Sequence, residues 1–154
     1  MNDLRFPTAL QMVLSLAVAR EAKRRCTSME LATGLGANPA LVRALLVPLS
    51  RANIVTTTIG KNGGVELARA PEEISLREVY FAIIDDKRLF ERRTNVPSVC
   101  VVSTNIGSFF EELATEVEDA MLTKLGQRTV AQSLMEIRRI DAARIANVTE
   151  IVAD

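Results

Sequence analysis

The fold of this chain is decided by residues 26–64, CTSMELATGLGANPALVRALLVPLSRANIVTTTIGKNGG. Thr27 followed three residues later by Glu30 is the signature of a capping box, which predicts a short helix that ends at the following glycines. Asn38 predicts the cap of a second helix, whose first turn tolerates Pro39 because an N–H there has no helical partner. Two helices joined by a short glycine-containing turn indicate a helix-turn-helix.

The second helix is predicted to have one apolar face and one slim face. Apolar residues recur at the spacing of a single helical stripe, which predicts burial of Val42, Leu45, Leu46 and Leu49. The opposite face carries small side chains and Arg43, a shape that could enter a DNA major groove about 12 Å wide. The alternative is an ordinary helical core without DNA. Pro48 removes a helical hydrogen bond, which predicts that this helix bends or ends early.

A β-hairpin is predicted directly after the second helix. Residues 54–59 are mostly β-branched, residues 60–64 (GKNGG) have strong turn chemistry, and residues 65–67 return as a strand. We interpret this hairpin as the wing of a winged helix-turn-helix. The predicted fold class is therefore mainly α with a small β-hairpin wing (α+β), followed by a long dimerisation helix.

Four motifs in this order resemble the bacterial winged-helix repressors typified by IscR, NsrR and CymR. They are LATGLGANPALVRALL (31–46), NIV (53–55), GKNGGVELA (60–68) and PEEISLREVYFAI (71–83). The likeness covers roughly residues 5–125. It implies a cytoplasmic, homodimeric transcription regulator that binds a roughly palindromic operator on double-stranded DNA.

The chain departs from this family at the positions that would read DNA. Relatives often have Ser and Tyr where this chain has Ala40 and Leu41, and Arg where it has Ile59. Lys61 is expected to take over the contact of that arginine. The operator sequence of the relatives is therefore not carried over to this chain.

Composition excludes several classes of function. The chain has 154 residues, 48% of them hydrophobic, and no histidine, which removes histidine-based catalysis and histidine metal sites. We predict no catalytic residue, no metal ligand and no enzyme activity. No apolar run approaches the roughly 20 residues that span a membrane, and the N-terminus lacks a signal-peptide layout. A cytoplasmic protein without a membrane partner is expected.

The net charge is zero, but the charges are distributed unevenly. Residues 1–70 carry 9 Lys and Arg against 4 Asp and Glu, whereas residues 71–154 carry 10 against 15. A basic half that holds the helix-turn-helix and an acidic half are typical of a DNA-binding domain with a separate dimerisation or sensing part. The alternative is that both sets of charges are solvated surface.

The candidate DNA contacts lie at the helix starts, on the second helix and at the wing tip. We predict phosphate contacts from Ser28 and the helix N-termini, and a base-edge contact from Arg43. The full candidate set is Ser28, Asn38, Ala40, Arg43, Lys61 and Asn62. Because this face has few polar groups, a winged-helix protein-interaction module without DNA binding remains the alternative.

The longest helical pattern runs over residues 105–125 and predicts a dimer. Its apolar stripe is more extensive than a small wing domain can cover, so a second copy of the chain is expected to pack on it. The alternative is a helix that packs wholly within its own chain. The residues predicted to mediate dimerisation are Phe109, Phe110, Leu113, Val117 and Met121.

Two cysteines raise the question of a redox effector. The possible redox residues are Cys26, which follows three basic residues, and Cys100, which lies in an apolar run and is expected to be buried. The favoured interpretation is that both are small core residues, and redox sensing by Cys26 is the alternative. Relatives that bind an iron–sulfur cluster use a cysteine triad, and Cys100 is alone in the corresponding region, so no cluster or other cofactor is predicted.

These patterns predict three parts. Residues 1–84 form the DNA-binding domain, with a first helix over residues 7–25 and a last one capped by Ser75. Residues 85–104 form an irregular connecting or sensor loop. Residues 105–154 contain the dimerisation helix, a short helix over residues 129–135 and a helical tail whose position is open. The effector is a small molecule or an oxidant that the sequence does not identify.

Overall fold

The computed structural model describes residues 3–84 and 89–153, with side chains up to residue 148. It is mainly helical with one small two-stranded sheet, as the sequence predicts. The elements are α1 (Arg5–Glu21), α2 (Ser28–Leu35), α3 (Pro39–Arg51), β1 (Val55–Thr58), β2 (Gly64–Leu67), a 3₁₀ turn (Pro71–Glu73), α4 (Leu76–Ile83), α5 (Val101–Gly126) and α6 (Val130–Ala153).

Capping boxes begin the short helices where the sequence predicts them. Thr27 Oγ1 accepts the N–H of Glu30 at 3.1 Å, and the Glu30 carboxylate accepts the N–H of Thr27 at 2.6 Å. Ser75 and Glu78 make the same reciprocal pair at the start of α4. Such pairs satisfy N–H groups that the first helical turn leaves without partners. Gly36 ends α2 in the left-handed conformation, with φ of 60°.

The prediction that Pro48 ends α3 early is wrong, because α3 continues to Arg51, and a bend at Pro48 stays a prediction. Proline removes only one hydrogen bond, and the next turn is still closed by the Ala52 N–H, which donates to the Pro48 carbonyl at 3.0 Å. The apolar stripe of α3 is buried on both sides of the proline, at Val42, Leu45, Leu46 and Leu49. Tertiary packing therefore holds the helix together across Pro48.

The wing is an antiparallel hairpin in which Val55 pairs with Leu67 and Thr58 with Gly64. The backbone of Cys26 extends this sheet by one residue, because the Val65 N–H donates to the Cys26 carbonyl at 2.6 Å. The segment between α1 and α2 is therefore attached to the wing.

One core joins the helix-turn-helix, the wing, α1, α4 and the start of α6. Val130 and Leu134 of α6 are buried in it, and the Val130 N–H donates to the Ile74 carbonyl at 2.8 Å. The chain thus returns to the N-terminal domain after α5. The division into residues 1–84, 85–104 and 105–154 stays a prediction, although the core contains residues of both the first and the third part.

Three predicted boundaries are wrong. Helix α1 ends at Glu21, so residues 23–25 follow the helix and do not form its last turn. Helix α5 begins at Val101, so the irregular segment is shorter than residues 85–104; residues 85–88 lie outside the described residues. Residues 130–153 form one continuous helix instead of a short helix and a separate tail.

No single helix among the described residues is long and apolar enough to cross a membrane. Only α2 and α3 reach that threshold together, as a pair bent by 118°.

Candidate nucleic-acid interface

The helix-turn-helix presents one side of α3 to solvent beside the wing. The change of direction between α2 and α3 is 118°, within the range of about 90–120° that is typical of this motif. Because the α3 stripe is buried in the core, Ala40, Arg43, Ala44 and Val47 are left exposed on the opposite side. This exposed side is slim except for Arg43, as predicted.

A cleft of about 660 Å³ separates α3 from the wing, and we call it the recognition cleft. Two of the predicted DNA contacts, Ser28 and Arg43, line this cleft together. Arg51, Thr57 and Thr58 also line it, although they were not predicted from the sequence. Three consecutive threonines at residues 56–58 were a signal for hydroxyl groups on the wing, but which of them face α3 depends on tertiary structure. The cleft thus combines two cations with several hydroxyl groups.

The structure places the other predicted contacts outside this cleft. Asn38 Oδ1 accepts the N–H of Ala40 at 2.8 Å and so acts as the cap of α3. Lys61 and Asn62 are exposed at the tip of the hairpin. The six residues therefore divide among the start of α3, the recognition cleft and the wing tip, and their roles in DNA contact stay predictions.

Two arginines that could contact DNA, judged from the sequence alone, instead bind the backbone of the wing. Arg25 Nη1 donates to the Asn62 carbonyl at 2.9 Å, and Arg25 Nε lies 3.5 Å from the Glu66 carboxylate. Arg20 Nη1 donates to the carbonyls of Leu67 and Arg69 at 3.3 and 3.2 Å. Carbonyl oxygens that lack a sheet partner are good acceptors for such guanidinium groups. These contacts fix the hairpin against the end of α1.

Arg69 connects three elements at the base of the wing. Its guanidinium donates to the carbonyls of Asn53 and Glu73 at 3.0 and 3.1 Å and to the Glu78 carboxylate at 2.7 Å. Desolvation of the partly buried Glu78 raises the pKa of its carboxyl group, but the hydrogen bonds from Ser75 and Arg69 together lower it by more. The pKa is therefore below the usual value. Arg69 is therefore a structural cation.

Cys26 has the buried environment favoured for it from the sequence, whereas the expected burial of Cys100 is wrong. Cys26 is buried, with 6% of its surface exposed, whereas Cys100 is exposed at the start of α5. The apolar run around Cys100 does not bury it, because Val99 and Val101 are themselves exposed. The Ser103 side chain and then its N–H, which donates to Sγ at 3.4 Å, lower the pKa of the Cys100 thiol. Cys100 is therefore the thiol that favours the reactive thiolate.

Helix α5 leaves most of its apolar stripe uncovered within one chain. Phe109 is 59% exposed, Leu113 41% and Val117 38%, and of the residues of α5 only Ala114 is buried. The alternative that this helix packs wholly within its own chain is therefore wrong. Phe110 and Met121 are half-buried, and Phe110 makes an edge-to-face contact with Phe90.

A helix-turn-helix followed by a hairpin wing defines the winged-helix class of DNA-binding proteins. The model of the Rrf2 family, described as an iron-dependent transcriptional regulator, matches residues 3–136, and the chain belongs to this family. YwnA of Bacillus subtilis (strain 168), named as an HTH-type transcriptional regulator, is 32% identical over 105 residues, which cover 68% of this chain and 78% of YwnA.

Solved structures have the same fold. A transcriptional regulator from Lactobacillus plantarum aligns with a TM-score of 0.72 and 25% identity, over 88% of this chain and 90% of that one. IscR of T. potens aligns with a TM-score of 0.67 and 17% identity, over 89% and 88%. The resemblance drawn from the sequence is confirmed, and the chain belongs to a family of transcriptional regulators, which are not enzymes.

The donor set of the chain does not fit the iron in the family description. An iron–sulfur cluster is typically held by four ligands, most often cysteines. This chain has two cysteines and no histidine; Cys26 is buried and bridged to the wing strand β2, whereas Cys100 is exposed at the start of α5. Within residues 3–84 and 89–148, no three His, Cys, Asp or Glu side chains are grouped to hold a metal ion.

Proposed function

We propose that the chain is a cytoplasmic, homodimeric repressor that binds a palindromic operator and responds to a small molecule or an oxidant. The observation that carries the DNA-binding part is the recognition cleft, where Ser28 and Arg43 face the same space between α3 and the wing. Insertion of α3 into a major groove would bring Arg43 to the base edges and leave the cleft for a phosphate backbone.

The dimer is supported by the uncovered stripe of α5. Apolar residues exposed along one helix are expected to be covered by the same helix of a second copy related by a two-fold axis. Such a dimer presents two α3 helices, so a two-fold symmetric protein would read two half-sites of a palindrome.

Replacement of Arg43 is the direct test of base reading. We expect Arg43→Ala to weaken operator binding by about 1–3 kcal/mol and to relax preference at one base pair in each half-site. Arg43→Lys keeps the charge but loses the two-pronged geometry that matches guanine, so it should show the same relaxed preference with less loss of affinity. The measurement is binding to a library of operator variants by fluorescence anisotropy. Equal weakening on every sequence would instead make Arg43 a phosphate contact.

Salt dependence separates DNA binding from the alternative of a protein-interaction module. Operator affinity that falls steeply between low and high salt supports the proposal, because bound phosphates must release counterions. Binding to genomic fragments, including the chain's own promoter, that is neither selective nor salt-dependent would contradict it and favour the alternative.

The oxidant branch of the proposal rests on Cys100 and not on Cys26. Because Ser103 lowers the pKa of the Cys100 thiol, the thiolate should form at lower pH than that of an unperturbed cysteine. We expect alkylation of Cys100 by iodoacetamide to have a pH midpoint below that of a short peptide with one free cysteine, and Ser103→Ala to raise the midpoint. Mass spectrometry of the two cysteine peptides over a pH series measures it.

The matched control is the buried thiol. In the folded protein Cys26 should react slowly at every pH, because it is shielded by the core. If diamide abolishes operator binding in the wild type and in Cys26→Ser but not in Cys100→Ser, the effector is an oxidant. If operator binding is indifferent to diamide in all three proteins, the oxidant branch is wrong and a small-molecule effector remains.

A further inference from the structure

A second cleft, of about 390 Å³, lies along β2, between the wing and the end of α1. The recognition cleft is lined by residues of α3, β1, β2 and the start of α2, whereas this one is lined by β2, the end of α1 and the segment that follows it, and Val65 of β2 lines both. The wing therefore has α3 beside one cleft and the end of α1 beside the other. We call the second cleft the outer cleft. Four of the residues that line it are cationic and one is acidic; the lining is Leu16, Arg20, Lys23, Arg24, Arg25, Val65, Glu66 and Leu67.

The four cationic residues of the outer cleft differ in their hydrogen bonds and ion pairs. Arg20 and Arg25 are engaged by the wing backbone, and Arg25 also pairs with Glu66, the acidic residue of the lining. By contrast, the side chains of Lys23 and Arg24 make no hydrogen bond or ion pair with any described residue, and both are exposed. Two exposed cations thus line the cleft without a hydrogen bond or ion pair to any residue that the structure describes.

The nearby carboxylates do not neutralise this pair. Glu21 is bound by Arg138 of α6, and this hydrogen bond lowers the pKa of the Glu21 carboxyl group. The backbone hydrogen bond and then the side-chain hydrogen bond with Thr27 lower the pKa of the Glu30 carboxyl group most. The positive charge of Arg24 lowers this pKa by a smaller amount. Lys23 has a left-handed backbone, with φ of 53°, which turns the chain sharply after α1.

We propose that the outer cleft binds the phosphate backbone of operator DNA through Lys23 and Arg24. The inference rests on the proposed DNA binding and extends it. A groove of duplex DNA is bounded by two phosphate backbones, and the minor groove is about 6 Å wide. A wing tip in that groove has one backbone on each side, so the recognition cleft takes one strand and the outer cleft takes the other.

The test is a double variant that removes both charges and keeps the turn. Lys23→Asn suits the left-handed conformation, which asparagine adopts more readily than most residues, and Arg24→Gln keeps a polar side chain of similar reach. Arg139→Gln with Arg144→Gln is the control, because it changes the net charge equally on exposed positions of α6. Operator affinity is measured from 50 to 300 mM salt for the three proteins.

If the proposal holds, the plot of log affinity against log salt loses about 3.6 from its slope in the Lys23/Arg24 variant, which is the value for four phosphate contacts, two from each subunit of the proposed dimer. Affinity should fall on the order of tens-fold at low salt, equally for all operator sequences, and hydroxyl-radical protection should disappear from one strand beside the wing. The control should keep the wild-type slope, and thermal melting checks that all three proteins are folded.

Two results would overturn the inference without touching the proposed function. The Lys23/Arg24 variant could keep the wild-type slope and footprint, or the control could lose as much slope as the variant, which would indicate a long-range effect of net charge. Wild-type protein that shows no salt-dependent operator binding would instead contradict the proposed function itself.

Discussion

Substitution of both Leu113 and Val117 by glutamate is expected to convert the protein from a dimer to a monomer and to reduce operator affinity by about three orders of magnitude. Both side chains belong to the exposed apolar stripe of α5, at 41% and 38% exposure in a single chain. Buried at a two-fold interface, each glutamate would lose its hydration without gaining a partner, at a cost of several kcal/mol. A monomer reads one half-site, so it retains little more than non-specific affinity.

Thr115→Glu is the matched control for this variant. Thr115 is exposed and lies two residues from each substituted position, which places it on the opposite face of the same helix. It adds negative charge to α5 without entering the stripe, so both the dimer and operator binding should persist. Sedimentation equilibrium and operator binding measure the two properties. A double variant that stays dimeric would show that the proposed interface is elsewhere.

Much of the winged domain could be predicted because its signals are local. Capping boxes at Thr27 and Ser75 depend on residues three positions apart, and the structure forms both. The hairpin was equally predictable, since β-branched strands and a glycine-rich turn specify it within a few residues. Asn53 also has the left-handed backbone expected of a residue that ends a helix, with φ of 55°.

Features that depend on tertiary packing were not predictable. Pro48 has the same local chemistry whether or not α3 continues, and burial of the apolar stripe around it decides the outcome. Cys100 was assigned to the wrong environment for a related reason. The valines around Cys100 are apolar, but a hydrophobic run is buried only where another element covers it, and no described residue covers Val99 and Val101.

The candidate site was predicted in part. Ser28 and Arg43 do line a common cleft, because helix caps and helical periodicity already place them. The basic charge of the N-terminal half was predicted as a DNA-facing property, yet Arg20, Arg25 and Arg69 bind backbone carbonyls and carboxylates inside the domain. A sequence shows that a residue is cationic but not which backbone carbonyl groups the fold places near it. No pattern in the sequence therefore indicated that these arginines bind groups inside the domain.

Gly63→Ala is expected to weaken operator binding by about tenfold to a hundredfold while leaving the melting temperature almost unchanged. A Cβ atom at this position would lie 2.2 Å from the Thr58 carbonyl oxygen and 2.9 Å from the Gly60 carbonyl oxygen. The Gly63 N–H also donates to that Gly60 oxygen at 2.9 Å, so relief of the clash must open the turn. Opening displaces Lys61 at the wing tip, whereas the core beneath the wing is retained because residues 59–62 are exposed.

Gly34→Ala is the matched control, because it adds the same Cβ atom at a position where there is space for it. A Cβ atom at Gly34 meets no heavy atom within 4 Å, and the residue lies inside α2, where alanine favours the helix over glycine by roughly 0.5–1 kcal/mol. This control should bind the operator as the wild type does and melt slightly higher. Wild-type binding by Gly63→Ala would show that the wing tip contributes little to the complex. Loss of folding in Gly63→Ala would show that the wing unfolds together with the core. The contacts of Cys26 and Arg25 with the hairpin would be the physical reason for that result.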